Sequence, residues 1–100
     1  MIIYNVTVKI DKTLSADWVS WMKSKHIPDV LATGIFTDYR LCRIFEDEED
    51  GGETFATQYF CNNLIDFQRY QKEFASALQQ EHMERYKDRY VAFRTLMEEL

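Results

Sequence analysis

The first ten residues alternate strictly between the two faces of an extended chain. One face carries five apolar side chains, Ile2, Tyr4, Val6, Val8 and Ile10, and the other carries Ile3, Asn5, Thr7 and Lys9. A period of two in a segment rich in β-branched residues predicts a β-strand, which Asp11-Lys12 ends. Because a lone strand cannot bury its apolar face, the rest of the chain must supply a sheet and a layer that covers it.

A helical pattern follows from about Ser15, whose side chain can cap the first turn. Its apolar stripe is formed by Leu14, Trp18, Trp21 and Met22. Proline disfavours helical geometry in the residue before it, so the pair Ile27-Pro28 predicts a break. A short second turn then runs to Gly34, which closes it.

Residues 35–46 and 53–62 are predicted to form two strands joined by an acidic segment that ends in Gly51-Gly52. Two glycines supply the positive φ angles of a tight hairpin turn. Residues 54–60 carry no charge, which favours a central position in the sheet, whereas the charges on the preceding strand favour an edge.

Asn63 can cap a long helix that begins at Leu64 and continues, less cleanly, to Arg89. Tyr90 to Met97 returns to β character. The order β-α-β-β-α-β predicts an α+β fold of the ferredoxin-like kind over a single domain, residues 1–100. Its four-stranded antiparallel sheet carries both helices on one face.

The sheet face away from the helices is too apolar to suit water. Either assignment of the faces leaves Ile3 there, together with Phe36 and Ile44 or with Ile35, Tyr39 and Leu41. A second sheet packed on this face would cover it, so we expect a homodimer. The alternative is a monomer whose polar side chains on that face contact water.

The net charge of the chain limits the kinds of partner that it can bind. The formal net charge is −5 and the isoelectric point is about 4.9, which disfavours nucleic acid and anionic membranes. The sequence shows no signal-peptide pattern and no apolar stretch of the ~20 residues that span a bilayer. Two cysteines fit a reducing compartment, so we expect a cytoplasmic protein.

The order of elements, the length and the strands that are apolar on both faces resemble the dimeric α+β barrel superfamily. That group includes antibiotic-biosynthesis monooxygenases, stress-response barrels and haem-degrading monooxygenases. The sequence also contains a more specific set of residues: Met1 to Val8, Trp21, His26-Ile27-Pro28, Gly34 and Phe93-Arg94-Thr95. In these residues the chain resembles a family of short bacterial proteins catalogued as a domain of unknown function.

His26 and His82 are the candidate catalytic side chains, with Asn5. His26 ends the first helix, where it either stabilises the helix end or transfers protons. The resemblance implies a haem-binding alternative, because haem-degrading relatives place an iron-ligating histidine and an asparagine near the positions of His82 and Asn5. The sequence departs from them at the aromatic beside the haem, where Tyr70 is nearest. The other interpretation of His82 is a solvated helix residue.

A polar cluster within the sheet supplies the candidate ligand-binding residues Asn5, Thr7 and Arg94; Lys9, Arg40, Thr57 and Gln58 belong to the same cluster. It either lines a pocket or forms the polar rim of the dimer interface. No metal site is expected, since no Cys and His stand at ligand spacing and an unbroken acidic run from Glu46 to Asp50 suits a solvated hairpin tip.

Cys42 and Cys61 are expected to be free, buried thiols. They become cross-strand neighbours if Gly51 and Gly52 form a two-residue turn, and a longer loop separates them.

Three functions stay open. The first is a small dimeric protein that binds a small ligand or a partner without assignable catalysis. The second is a cofactor-independent or haem-dependent monooxygenase. The third is a purely structural or interaction module, which a fully packed interior would favour.

Overall fold

A computed structural model describes residues 1–46 and 50–100 of the protein. Its sheet has four strands, β1 (Ile2–Asp11), β2 (Asp38–Ile44), β3 (Gly52–Cys61) and β4 (Tyr90–Glu98). All neighbours are antiparallel, in the order β2-β3-β1-β4. This is the ferredoxin-like arrangement predicted from the sequence, with β3 central and β2 at an edge.

Four helices lie between the strands: α1 (Ser15–Trp21), α2 (Ile27–Leu31), α3 (Leu64–Glu73) and α4 (Ala75–Arg85). The predicted long second helix is therefore divided at Phe74, where the backbone leaves helical geometry (φ −126°, ψ −34°). It also ends at Arg85, before the predicted Arg89.

The register fixes which side chains face the helices. Tyr4 lies opposite Tyr59 on one side and Leu96 on the other, and Val6 lies between Thr57 and Arg94. Side chains alternate along a strand, so the even-numbered residues of β1 and β4 and the odd-numbered residues of β3 share the helix-covered face. Ile3, Asn5 and Thr7 belong to the opposite, open face.

Aromatic side chains dominate the core between the sheet and the helices. Tyr4 contacts Phe67 and Phe36, with ring centroids 4.9 and 6.2 Å away. Trp18 is completely buried and packs on Phe55 at 5.0 Å. These rings fix α1 and α3 to the sheet.

The predicted break at Ile27-Pro28 is wrong. Residues Met22–His26 form a π-helical turn that joins α1 to α2, and the Ile27 N–H donates to the carbonyl of Met22. A proline ring normally clashes with the carbonyl four residues earlier. The wider turn shifts the hydrogen-bond pattern by one residue, and the chain passes through Pro28 without leaving helical geometry.

Helix capping follows the sequence at one helix and departs from it at the other. Asn63 caps α3 as expected, because its Oδ1 accepts from the Asp66 N–H at 2.9 Å. Ser15 is instead the first residue of α1 and donates to the Lys12 carbonyl. The carboxylate of Asp11 does the capping, by accepting from the Thr13 N–H at the 3₁₀ turn Lys12–Leu14.

The described pairs between β2 and β3 do not fit the predicted two-residue turn at Gly51-Gly52. Gly52 is the first residue of β3, and a Cβ there would meet the Lys9 side chain at 2.6 Å, so a larger residue would have to displace that lysine. Pairing between the strands ends at Ile44 and Thr54. The acidic segment 47–49 lies outside the described residues.

The longer connection separates the two cysteines. Cys42 pairs with Ala56 and is exposed on the open face, whereas Cys61 pairs with Ile2 and is buried under the helices. They are not cross-strand neighbours, and the prediction that both thiols are buried is wrong for Cys42.

Candidate functional site

A cavity of about 40 Å³ lies between the helix-covered face of the sheet and the helices. Its floor comes from the sheet residues Val6, Val8 and Thr57, and its roof includes His26 and His82. A water molecule needs roughly 10–15 Å³ measured in this way. The space therefore admits two or three waters or one small chemical group.

His82 is placed by a hydrogen bond from the first helix. The Trp18 Nε1–H donates to His82 Nε2 at 2.9 Å, and the histidine is only 8% exposed. Accepting at Nε2 requires the neutral tautomer that carries its proton on Nδ1. Its ring also stands edge-on to Tyr90 at 4.6 Å, so both α1 and β4 contact it.

The π-helical turn brings His26 beside His82. The two imidazole centroids are 5.8 Å apart, and His26 stacks on Trp21 at 5.1 Å. π-helical turns are rare in proteins, and those that occur are often found at functional sites. Here the turn places His26 in the roof of the cavity.

Both histidines are uncharged at neutral pH. Burial lowers the pKa of His26 to about 4, against a small opposite effect from Asp29. Burial also lowers the pKa of His82 to about 4, and the charge of Arg94, together with that of His26 once acid protonates it, acts in the same direction. A neutral imidazole can accept or donate a hydrogen bond, and it can act as a base toward an acidic C–H or O–H group.

Several buried polar atoms at the cavity lack a partner. Four buried side-chain atoms in the described ranges make no hydrogen bond, and three of them belong to residues lining the cavity: His26 Nδ1, Thr57 Oγ1 and Tyr59 Oη. Thr57 and Tyr59 are 1% and 2% exposed. Burial raises the pKa of the Tyr59 phenol, which keeps it a neutral hydrogen-bond donor.

A wider groove of about 490 Å³ adjoins the inner cavity. Tyr4, Gln79 and Arg94 line both spaces and so stand at the boundary between them, which we call the neck. The Tyr4 hydroxyl is in hydrogen-bonding reach of the Arg94 and Gln79 side chains. Beyond the neck, Ala75, Met83 and Tyr90 give the outer groove a partly apolar wall.

The structure brings some of the candidate residues together and separates others. His26, His82 and Arg94 line one cavity. Asn5 and Thr7 lie on the open face instead, where the Asn5 Nδ2–H donates to Thr7 Oγ1 at 3.0 Å. The sheet therefore stands between Asn5 and His82.

These residues do not fit haem. The lone pair of His82 Nε2 is taken by the Trp18 indole, the asparagine lies across the sheet, and the inner cavity is far smaller than a porphyrin. Tyr70 does line the cavity, with its pKa raised by burial. Within residues 1–46 and 50–100, no three His, Cys, Asp or Glu side chains cluster closely enough to hold a metal ion.

Sequence reasoning missed Tyr59 and Gln79. Tyr59 shares the alternation of Thr57 along β3, but only the register shows that both face the helices. Gln79 belongs to α4, where a glutamine gives no signal of its own. No helix of the described chain is long and apolar enough to cross a bilayer.

Solved structures share this architecture at low sequence identity. HapK from Hahella chejuensis superposes with a TM-score of 0.72 at 7% identity, covering 100% of this chain and 93% of its own. A dimeric ferredoxin-like protein from an uncultured marine organism gives 0.66 at 9% identity, covering 100% and 95%. An antibiotic biosynthesis monooxygenase gives 0.60 at 15%, covering 100% and 99%.

These likenesses establish the ferredoxin-like fold and do not carry an activity to this chain. No curated protein matches the sequence significantly. The profile of the domain of unknown function DUF4286 matches residues 1–100. The chain therefore belongs to the DUF4286 family.

Proposed function

We propose that this protein binds a small organic molecule between its sheet and its helices. The body of the ligand lies in the outer groove, and a polar group passes the neck into the inner cavity. The observation that carries the proposal is the set of unpartnered buried atoms there, His26 Nδ1, Thr57 Oγ1 and Tyr59 Oη.

Such atoms need a partner, which water or a bound ligand in the cavity can supply. Leaving a buried donor or acceptor without a partner costs roughly 1–3 kcal/mol, and native proteins rarely leave several beside one cavity. A ligand with hydroxyl or carbonyl oxygens would satisfy them. The cavity also speaks against the third hypothesis, a purely structural module, which a filled interior would have favoured.

A comparison of two buried tyrosines, one with a hydrogen-bond partner and one without, tests this proposal. Tyr59 and Tyr86 are each 2% exposed, but the Tyr86 hydroxyl donates to Asp17 at 2.8 Å whereas the Tyr59 hydroxyl has no partner. Tyr59→Phe should leave the free energy of unfolding unchanged or raise it, while Tyr86→Phe should lower it by about 1 kcal/mol. Urea titration at one protein concentration measures both.

Ligand retention should show the reverse pattern. Tyr59→Phe should lose small molecules that copurify with the wild-type protein, and Tyr86→Phe should keep them. If Tyr59→Phe is instead as destabilising as Tyr86→Phe and retains ligand equally, the Tyr59 hydroxyl has a structural role and the proposal is wrong.

The binding protein is a homodimer in this proposal, joined through the open face of the sheet. Val91 and Phe93 are 67% and 62% exposed there, beside the half-buried Ile3, Phe60 and Met97. Large exposed apolar surfaces are uncommon on monomers. We take the occupant to be a second copy of this chain, and the ferredoxin-like neighbour described as dimeric supports that choice.

Phe93→Lys should convert the dimer to a monomer, because two like charges would then meet in a face that excludes water. Ile65→Lys is the matched control, since Ile65 is 76% exposed on α3, away from the open face. Sedimentation velocity distinguishes the two states. A Phe93→Lys protein that stays dimeric would show that the interface lies elsewhere.

A cytoplasmic location in a bacterium belongs to the same proposal. Cys42 and Cys61 lie on opposite faces of the sheet, so the fold makes no use of a disulfide between them. Such free thiols suit a reducing compartment.

A cofactor-independent monooxygenase is the second candidate function, favoured by His26. Its unpartnered Nδ1 is a neutral base beside an apolar cavity of a size that suits dioxygen. Such an enzyme would oxidise an acidic CH₂ group to a carbonyl, with one oxygen atom of O₂ entering the product and the other leaving as water. Uptake of dissolved oxygen by the protein with its copurified ligand, lost in His26→Gln, distinguishes catalysis from binding alone.

A further inference from the structure

Arg94 stands where the cavities of the molecule meet. It lies on the helix-covered face of β4, opposite Val6. It lines the inner cavity, the outer groove and a third depression of about 320 Å³ beside Phe67 and Leu96. A ligand bound in any of these three spaces would therefore lie beside Arg94.

Arg94 is one of two arginines that make no ion pair with the described residues; the other, Arg40, lies over the Phe60 ring on the open face of the sheet. Four arginines make ion pairs within 4.0 Å: Arg43 with Glu53, Arg69 with Glu73, Arg85 with Asp17 and Arg89 with Asp11. In the part of the chain that the structure describes, Arg94 has no carboxylate within that distance, and its polar neighbour is the uncharged Tyr4. Apart from the N–H directed at the Tyr4 hydroxyl, its donors are available to an acceptor in the groove.

The walls around Arg94 contain no acidic residue. The chain has 17 Asp and Glu against 12 Lys and Arg, yet none of the described residues lining the inner cavity or the outer groove is a carboxylate. A basic residue held in walls without compensating charge, on an acidic protein, creates a local field that attracts anions.

We infer that the ligand is an organic anion, whose carboxylate or phenolate oxygen Arg94 binds at the neck of the cavity. The inference rests on the proposed function and names the chemical class of its ligand. Gln79 and Tyr4 stand beside Arg94 at the neck and can donate to the same oxygen. Arginine presents parallel N–H groups that match a carboxylate in a bidentate geometry.

The anionic end and the apolar end of the ligand then bind to different parts of the site. The uncharged imidazoles of His26 and His82 add no charge at neutral pH, so Arg94 is the cation of the site. The apolar part of the ligand packs against Ala75, Met83 and Tyr90 in the outer groove. A neutral molecule of the same shape would gain the packing and lose the charge-assisted bond.

The test uses a matched pair of probes, 2-naphthoate and its uncharged amide, 2-naphthamide. Each is titrated into the full-length protein at pH 7.5 while NMR follows the Trp18 indole N–H, which reports on the cavity through its bond to His82. The naphthoate should bind about 10- to 100-fold more tightly than the amide, as expected for a hydrogen bond to a charged group.

Three variants assign that preference. Arg94→Gln should reduce the affinity for naphthoate to that for the amide, and Arg94→Lys should keep part of the preference, because it retains charge without the fork. Arg69→Gln removes the same charge from an exposed position on α3 and should change nothing. Arg94 is itself exposed, so circular dichroism should show an unchanged fold for Arg94→Gln.

Each outcome bears on a different part of the account. Equal binding of both probes, or a preference for naphthoate that survives in Arg94→Gln, overturns the anion assignment and leaves the binding pocket standing. If neither probe shifts the Trp18 signal up to millimolar concentration, the proposed pocket itself is wrong, and the anion assignment is overturned with it.

Discussion

Replacing Trp18 with alanine is expected to lower the free energy of unfolding by roughly 3–5 kcal/mol, as truncation of a large buried aromatic does. Trp18 is 0% exposed, stacks on Phe55 and donates to His82. The change would empty the contact between α1 and the sheet and also leave His82 Nε2 buried without a partner. Urea denaturation at a fixed protein concentration measures it, because the stability of a dimer depends on concentration.

Trp18→Phe separates the two contributions. Phenylalanine keeps an aromatic ring on Phe55 but removes the indole N–H, so we expect a loss of about 1–3 kcal/mol from the unpaired histidine and the smaller ring. Ile65→Ala, on the exposed surface of α3, serves as the control and should stay within about 0.5 kcal/mol of wild type. A Trp18→Ala protein as stable as that control would mean that α1 does not pack as described.

Acidification from pH 7 to pH 4 is expected to destabilise the protein by about 3 kcal/mol for each of the two buried histidines. Their pKa values are lowered to about 4 in the folded protein, from about 6.5 in the unfolded chain. The unfolded state therefore binds more protons throughout this window. Stability is fully present above pH 6.5 and is lost as the pH falls toward 4.

Asp11 contributes below that window. The hydrogen bonds of Asp11 with Thr13 and Arg89 lower its pKa to about 2, so its contribution is lost only at more acidic pH. Around the histidines, the charged neighbours are Lys25 and Asp29 for His26, and Arg94 for His82. The loss of stability between pH 6.5 and 4 therefore comes mainly from protonation of the two imidazoles.

His82→Gln tests the assignment, since a glutamine oxygen can still accept from Trp18 but does not titrate. Chemical denaturation at a series of pH values should show a much shallower loss of stability in this variant between pH 6.5 and 4. An unchanged slope in His82→Gln and in His26→Gln would mean that the histidines are solvated in the folded protein.

The parts of the fold that depend on local pattern could be predicted from the sequence. The alternation from Ile2 to Ile10 set β1, and the Asn63 side chain marked the start of α3. The passage through Pro28 could not be predicted, because nothing in the local sequence shows that a π-helical turn would accommodate the ring. The register of β2 on β3 could not be predicted either, because it depends on the length of the connecting loop, which composition does not determine.

The candidate site could be predicted from the sequence only in part. His26, His82 and Arg94 were recognisable as chemical groups, but their meeting depends on contacts between α1, α4 and β4, which are far apart in the sequence. Asn5 was grouped with His82 by resemblance, and strand register puts it on the other face. Tyr59 became a candidate only when the structure showed its buried hydroxyl without a partner.

Native mass spectrometry of freshly purified protein, with Tyr59→Phe and Tyr86→Phe beside it, tests the central claim most directly. The account predicts a dimer that carries one small molecule per protomer in the wild-type and Tyr86→Phe proteins, and much less of it in Tyr59→Phe. A wild-type dimer without added mass, under conditions gentle enough to preserve the dimer, would contradict a binding site between the sheet and the helices.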